Sequence, residues 1–303
     1  MTPHNRGGAL PPPSWACHAC GSTTISVHRA SRQTRNVVHA CRECGAYALA
    51  NRPPPDELAG SYDWDEEKYA SYVRVMRYGS GGPAQRQVIE DLDRLVPQNG
   101  HRRTVFDVGA GSGSFLALAR DAGFDVSGNE LAAGAVALAK REYDVDLHLG
   151  DLAQLEEIGP YDAVTMWCVL AHVSDHSGLL AHVRRVLSPG GVVFLQTPRR
   201  SAMDRAGIAL LEATSGRASR LVDRRMARHH MILHTERSIR AQMERAGFEV
   251  LEVRSSARYS LTTETYLRSL GMPVRGLGRT ADRLIERGWF FRNVLDVHAR
   301  RVD

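Results

Sequence analysis

From Thr104 onward, short apolar runs alternate with longer stretches whose apolar positions recur at helical spacing. The runs Thr104–Val108, Asp125–Gly128, Asp146–Leu149, Tyr161–Met166 and Gly191–Gln196 have strand-like composition, which predicts β-strands. The stretches between them are long enough for crossover helices, so the alternation predicts a parallel sheet in an α/β fold. A helix is expected over Thr235–Ala246, a strand over Phe248–Arg254 and a last strand around Asn293–Ala299. Upstream, Gln85–Val96 has the period of an amphipathic helix.

The first hundred residues lack this alternation. Residues 1–14, with Pro11-Pro12-Pro13 and two glycines, read as a disordered tail. Residues 15–55 contain Cys17-His18-Ala19-Cys20-Gly21 and Cys41-Arg42-Glu43-Cys44-Gly45, two CxxC knuckles about twenty residues apart, the spacing of a zinc ribbon. Cys17, Cys20, Cys41 and Cys44 are the expected structural zinc ligands, and Thr23–His28 and Asn36–Ala40 the ribbon's hairpin strands. A pair of disulfides is the alternative, but a segment this short and polar needs a metal to fold in a reducing compartment. Pro53-Pro54-Pro55 ends the module. Residues 56–100 read as a helical linker, whose tyrosines Tyr62, Tyr69, Tyr72 and Tyr78 suit either a lid or ordinary packing.

Composition narrows the function classes. No apolar run approaches the roughly 18 to 20 residues of a membrane span, and the first residues lack the apolar stretch and cleavage site of a secretory leader. A cytoplasmic protein without membrane association is expected. The net charge of +5 is carried by arginine, since Lys68 and Lys140 are the only lysines. Basic residues form no block except between Arg217 and Arg228, which argues against a nucleic-acid partner. Arg217, Arg220, Arg224, Arg225 and Arg228 have helical spacing and read first as a solvent face. The sharper reading is a docking surface for a phosphorylated substrate or a carrier protein.

The first strand of the alternating region runs into Asp107-Val108-Gly109-Ala110-Gly111-Ser112-Gly113-Ser114, where three glycines let a ligand approach the backbone. Dinucleotide enzymes require glycine at the place held by Ser114. The DxGxGxG spacing instead resembles motif I of class I S-adenosylmethionine-dependent methyltransferases. Glu130, closing the second strand, can then accept from the ribose hydroxyls, and Asp151, after the third, from the adenine amine. Asp107, Gly109, Gly111, Gly113, Leu152 and Trp167 complete the expected cofactor set.

The fourth-strand run Tyr161–Val173, Leu187-Ser188-Pro189-Gly190-Gly191 and Ala246–Val250 extend the resemblance to the ubiquinone-biosynthesis O-methyltransferase group, over roughly Thr104 to Arg254. The knuckles and proline-rich exit are similar to ribbon-bearing relatives, some of them sugar methyltransferases. The resemblance implies a Rossmann-like class I methyltransferase domain over 101–303, with a seven-stranded, mostly parallel sheet whose last strand is antiparallel. It also implies a substrate-cap insertion over 199–234. The sequence departs from the ubiquinone group at Cys168 and Ala171, where that group commonly carries acidic residues, and this counts against a catalytic magnesium. Cys168 reads by default as a buried packing residue.

His172, just beyond the fourth strand, is a candidate general base, as is His230 in the insertion beside His229 and His234. Each also has a plain reading, His172 as a packing or capping histidine and those of the insertion as surface-loop histidines. The leading reading is methyl transfer to a small-molecule acceptor, a specialised metabolite or sugar, at oxygen, carbon or nitrogen. An RNA methyltransferase and a non-catalytic cofactor-binding scaffold are the alternatives. The first lacks basic residues interleaved with aromatics in the ribbon, and the second sits poorly with an intact ligand set.

Overall fold

The computed structural model describes residues 15–51, 65–75, 82–98, 100–156, 158–226, 230–257 and 292–303. The expected tail over 1–14, the proline break at 53–55, Tyr62, Trp64, Tyr78, Arg228 and His229 lie outside these residues, as does the side chain of Tyr72. In chain order the elements begin with β1 (Ile25–Val27), β2 (Val38–Cys41), β3 (Tyr47–Leu49), α1 (Glu66–Val75) and α2 (Pro83–Leu95). The alternating region follows as β4 (Thr104–Val108), α3 (Ser114–Asp121), β5 (Asp125–Glu130), α4 (Ala133–Tyr143), β6 (His148–Leu149), β7 (Tyr161–Trp167), α5 (His176–Val186) and β8 (Leu187–Pro198). After it come α6 (Ala202–Ala213), α7 (Arg220–Arg225), β9 (Ile232–Leu233), α8 (Glu236–Arg245), β10 (Phe248–Ser256) and β11 (Val294–Arg301).

Seven strands form the main sheet in the order β10-β11-β8-β7-β4-β5-β6. Strands β4 to β8 pair in parallel, and β11 runs antiparallel to both β8 and β10, as the resemblance implies. The chain winds outward from β4 through β5 to β6, then returns to β7 on the other side of β4. That reversal opens a crevice at the carboxyl ends of β4 and β7, where open α/β sheets bind ligands. One face of the sheet packs Leu179, Leu180 and Val183 of α5 and Ile239 and Met243 of α8 over Phe106, Val164 and Leu195. The other packs Val88, Ile89 and Leu92 of α2 and Phe115 and Leu116 of α3 over Val105, Ala163 and Phe194. Among the described residues no helix is long and apolar enough to cross a membrane.

A second, four-stranded sheet has the order β1-β2-β3-β9. Its first three strands come from the cysteine-bearing segment, but β9 comes from the insertion after β8, through the pairs Tyr47↔Leu233 and Ala48↔Ile232. Val38, Tyr47 and Leu49 share one buried core with Ile208, Leu211, Val222, Met226, Met231 and Leu233 of the insertion. Polar contacts seal the same join: Ser31 donates to Asp223 at 2.8 Å, Asn36 donates to the Met226 carbonyl at 3.0 Å, and the Arg29 N–H donates to Glu212 at 2.8 Å. The cysteine segment and the insertion, far apart in sequence, are thus one packing unit.

The expected strand starts hold to within a few residues, while β8 and β10 run longer than their apolar cores because neighbouring strands extend the ladder. Helices α6 and α8 each begin at a capping box, Ser201 with Asp204 and Thr235 with Ser238, which satisfies the free amides of the first turn. One expectation is corrected. Arg225 is not on a solvent face: its guanidinium turns inward to Asp204 at 2.8 Å and to the Arg199 carbonyl at 2.8 Å, while Arg217, Arg220 and Arg224 are exposed.

Leu49 is fully buried where the cysteine segment meets the insertion. Leu49→Ala is expected to destabilise this unit by about 2 to 5 kcal/mol. Hydrogen exchange should show β3 and β9 opening together before the main sheet, and independent opening of the two strands would contradict the shared core.

Candidate functional site

The turn from β4 into α3 carries Gly109, Gly111 and Gly113, all at positive φ (66°, 57° and 74°). A Cβ on Gly109 would stand 2.9 Å from Val169 Cγ2, and one on Gly111 would stand 2.7 Å from the Tyr69 hydroxyl. Only glycine fits both the backbone conformation and these close approaches. Tyr69 therefore reaches from α1 to the glycine turn.

Glu130, at the end of β5, holds this turn in place. One carboxylate oxygen accepts the Gly111 N–H at 2.9 Å, and the other accepts the N–H groups of Leu131 at 2.7 Å and Ala132 at 3.0 Å. An ionised carboxylate has about four acceptor sites, so at least one remains for a ligand hydroxyl. The Asn129 side chain donates to the Gly150 carbonyl at 2.8 Å, tying the end of β5 to the loop after β6. Asp151 in that loop is exposed and caps the short turn Leu152–Gln154, accepting the Ala153 N–H at 2.8 Å. The Leu152 side chain is buried in the main core, so what it can offer a ligand is its backbone.

Asp107 and Trp167 lie deeper. Asp107 is buried and accepts from the Thr165 hydroxyl at 2.6 Å. Burial, reinforced by the nearby charge of Glu130, pushes its carboxyl up to about 8. It forms a largely neutral floor beneath the turn. Trp167, the last residue of β7, packs its indole against Phe115 and Phe194, with ring centroids 5.3 and 4.8 Å away. Its Nε1–H is buried and has no acceptor among the described residues. An orphaned donor at the end of a strand beside the glycine turn fits a polar ligand.

On the other side of the crevice, Cys168 follows Trp167 at φ 65°, and a short 3-10 turn, Leu170–His172, comes next. The His172 and His230 rings meet edge to face with centroids 4.8 Å apart. Cys168 Sγ is 3.9 Å from His230 Nε2. The Met231 N–H donates to the Ala171 carbonyl at 2.8 Å, so the insertion is fastened to the very turn that carries His172. Burial pushes the Cys168 thiol up to about 12, which opposes a reactive free thiolate. His234 does not join the group: it is fully buried and bonds Ser238 in the cap of α8 at 3.0 Å. Thr165 and Val169, which hold Asp107 and cover Gly109, were not among the expected site residues. Their only sequence signal is their position along β7 and its exit.

The four early cysteines converge. Cys17 and Cys44 are 3.6 Å apart through sulfur, as are Cys20 and Cys41, and the ligand atoms of all four lie within 4.8 Å of one another. Sulfurs about 2.3 Å from a tetrahedral ion stand about 3.8 Å apart, so the set fits zinc and is too open for disulfides. The crowding shows in the thiols themselves. A hydrogen bond from Cys44 holds Cys17 down to about 5, and the same contact pushes Cys44 up. Gly21 and Gly45 close the knuckles at φ 78° and 77°. The Thr235 hydroxyl donates to the Cys44 carbonyl at 2.6 Å and so docks one knuckle on the start of α8.

Residues 82–253 match the family described as a methyltransferase domain. Demethylmenaquinone methyltransferase of Renibacterium salmoninarum is 32% identical over 139 residues, 45% of this chain and 56% of that protein. Ubiquinone biosynthesis O-methyltransferase of Hydrogenovibrio crunogenus is 33% identical over 155 residues, 48% of this chain and 59% of that protein. The matched stretch thus spans little more than half of either relative. Among solved structures, the cyclase SpnF superposes with a TM-score of 0.55 at 20% identity, covering 83% of this chain and 98% of that one, a likeness of fold alone.

Asp107 gives this site a pH signature. Its folded-state value of about 8 lies above the ordinary 3.8, so the native state keeps a proton that the unfolded chain releases. Its stabilising contribution is complete below the lower value and is lost as pH rises through the upper one. In cofactor-free protein, the Tm of Asp107→Asn relative to wild type should therefore rise between about pH 4 and pH 8. A Tm difference that stays constant over this range, measured by scanning fluorimetry, would show that Asp107 is ionised in the native state.

Proposed function

Because the chain belongs to the methyltransferase-domain family, we propose that it transfers a methyl group from S-adenosylmethionine to a small-molecule acceptor, a specialised metabolite or sugar. The observation that carries this reading is the meeting, at one sheet edge, of the glycine turn, the Glu130 carboxylate and the unpartnered Trp167 indole, with two histidines across the crevice.

When bound, S-adenosylmethionine supplies a methyl group on a cationic sulfur that is already activated for in-line displacement. Glu130 accepts from the ribose hydroxyls with the capacity its backbone contacts leave free, and Asp151 accepts from the adenine amine. Gly109, Gly111 and Gly113 keep the backbone open to the ligand, and Tyr69 covers the turn against water. Trp167 offers its N–H to a polar group in the crevice. His172 and His230 flank the acceptor from below and above. Where the acceptor is a hydroxyl, one of them takes the proton at a ring nitrogen as the oxygen lone pair attacks the methyl carbon and the carbon–sulfur bond breaks. A carbon acceptor can dispense with that base, leaving alignment as the main contribution of the protein.

Zinc on Cys17, Cys20, Cys41 and Cys44 has a structural role in this reading. It closes the knuckles, and through β3 and β9 it fixes the segment that carries His230. The exposed Arg217, Arg220 and Arg224 suit an acceptor delivered with a phosphate or on a carrier protein.

Three measurements test the reading. Glu130→Ala should weaken S-adenosylmethionine binding by about 1.5 to 3 kcal/mol in calorimetry, and unchanged affinity would remove Glu130 from the ribose site. Metal analysis should find zinc that Cys41→Ser loses, with loosening of β9 but not of the main sheet. Once a metabolite screen supplies an acceptor, His172→Ala or His230→Ala should lower turnover by about 10²- to 10⁴-fold if that residue is the base. An unaltered rate and pH profile in both variants would defeat that role.

A further inference from the structure

Cys168, His172 and His230 bring one sulfur and two imidazole nitrogens to within 4.8 Å of one another, and the methyl-transfer reading uses only the two rings. The trio is assembled from two pieces of chain. Cys168 and His172 stand about one helical turn apart at the exit of β7, whereas His230 arrives with the segment that leads into β9. The Met231–Ala171 hydrogen bond clamps the pieces together at 2.8 Å. Cys168 holds a positive φ of 65°, which costs energy for a residue that is neither glycine nor asparagine. Its N–H is anchored there on the Gln196 carbonyl at 3.1 Å. In that conformation the thiol reaches the His230 ring at 3.9 Å. A sulfur and a nitrogen on one tetrahedral zinc stand about 3.6 Å apart, so the Cys168–His230 pair lies within a few tenths of an ångström of that spacing, and His172 brings its ring nitrogen to within 4.8 Å of both.

We propose that Cys168, His172 and His230 form a second metal site, for a zinc-like divalent cation, with its open position toward the methyl acceptor. One thiolate and two neutral imidazoles suit a borderline-soft ion and not magnesium, which takes oxygen ligands. Three protein ligands leave a fourth position free, and all three side chains are partly exposed, unlike the mostly buried thiols of the ribbon. On binding, the Cys168 thiol gives its proton to solvent and the imidazoles bind neutral. With both imidazoles engaged as ligands neither would serve as the base; an acceptor oxygen on the open position would instead be made more acidic by the cation and release its proton to solvent. The direction of the open position rests on the proposed function; the existence of the site does not.

The test uses the full-length protein with neither acceptor nor cofactor. Loosely held metal is removed with a mild chelator that spares the ribbon, and Co2+ alone is then titrated in. Wild type should take up one equivalent beyond the ribbon metal, with a thiolate-to-cobalt absorption band. Cys168→Ser and His230→Ala, on separate pieces of chain, should each abolish that band and that equivalent while the circular dichroism stays that of wild type. Absence of the extra equivalent in wild type, or its survival in both variants, would overturn the proposal. No methyl transfer is measured, so failure of the methyltransferase reading leaves the result untouched.

Discussion

The pairing of Tyr47 and Ala48 with Leu233 and Ile232 is the join on which the rest of the site depends. The cysteine-bearing segment has little core of its own: around the four thiols it buries only Ala19 and Ala46, with Ile25 partly covered. Its larger apolar residues, Val38, Tyr47 and Leu49, are covered by the insertion after β8. Among its described residues the insertion in turn has no sheet of its own, and it gains one by adding β9 to β3. Each piece supplies the burial the other lacks, as small domains must arrange when their surface outweighs their core.

That mutual dependence extends to the chemistry. His230 immediately precedes the Met231–Ala171 hydrogen bond and the β9 pairing, so its place over His172 is set by contacts that reach back to the cysteine knuckles. The cysteine-bearing segment thereby helps to position the histidine side of a crevice whose other wall belongs to the main sheet. The same logic separates two carboxylates at that crevice. Asp107, sealed beneath the turn, keeps its proton to about pH 8, while Glu130, bonded to three backbone N–H groups, is positioned to act as an acceptor.

The α/β architecture, the glycine turn of the candidate site and the grouping of the four cysteines were legible in the sequence because they rest on short-range rules. Strands β4 to β8 announce themselves as apolar runs, the glycine turn by residues that must adopt positive φ, and the cysteine cluster by ligand spacing along a few residues. Strands β3 and β9, three and two residues long, carry no readable period. Arg225 has the spacing of a solvent-exposed helix face, yet it turns inward because Asp204, 21 residues earlier, waits there as its partner. His234 resembled its neighbour His230 in sequence and was separated from it only by the capping box that begins α8.

What the sequence by itself determined is therefore encoded within about one element's length: the strands of the main sheet, the turn that follows β4 and the spacing of the knuckle cysteines. Only the tertiary structure decided that the knuckles and the insertion are one unit, that Tyr69 covers the glycine turn, and that Cys168 meets His230 across 62 positions of chain. The physical reason is that periodicity and spacing report local backbone geometry, whereas these contacts are chosen by which buried surfaces fit together. That choice leaves no mark on the residues between them.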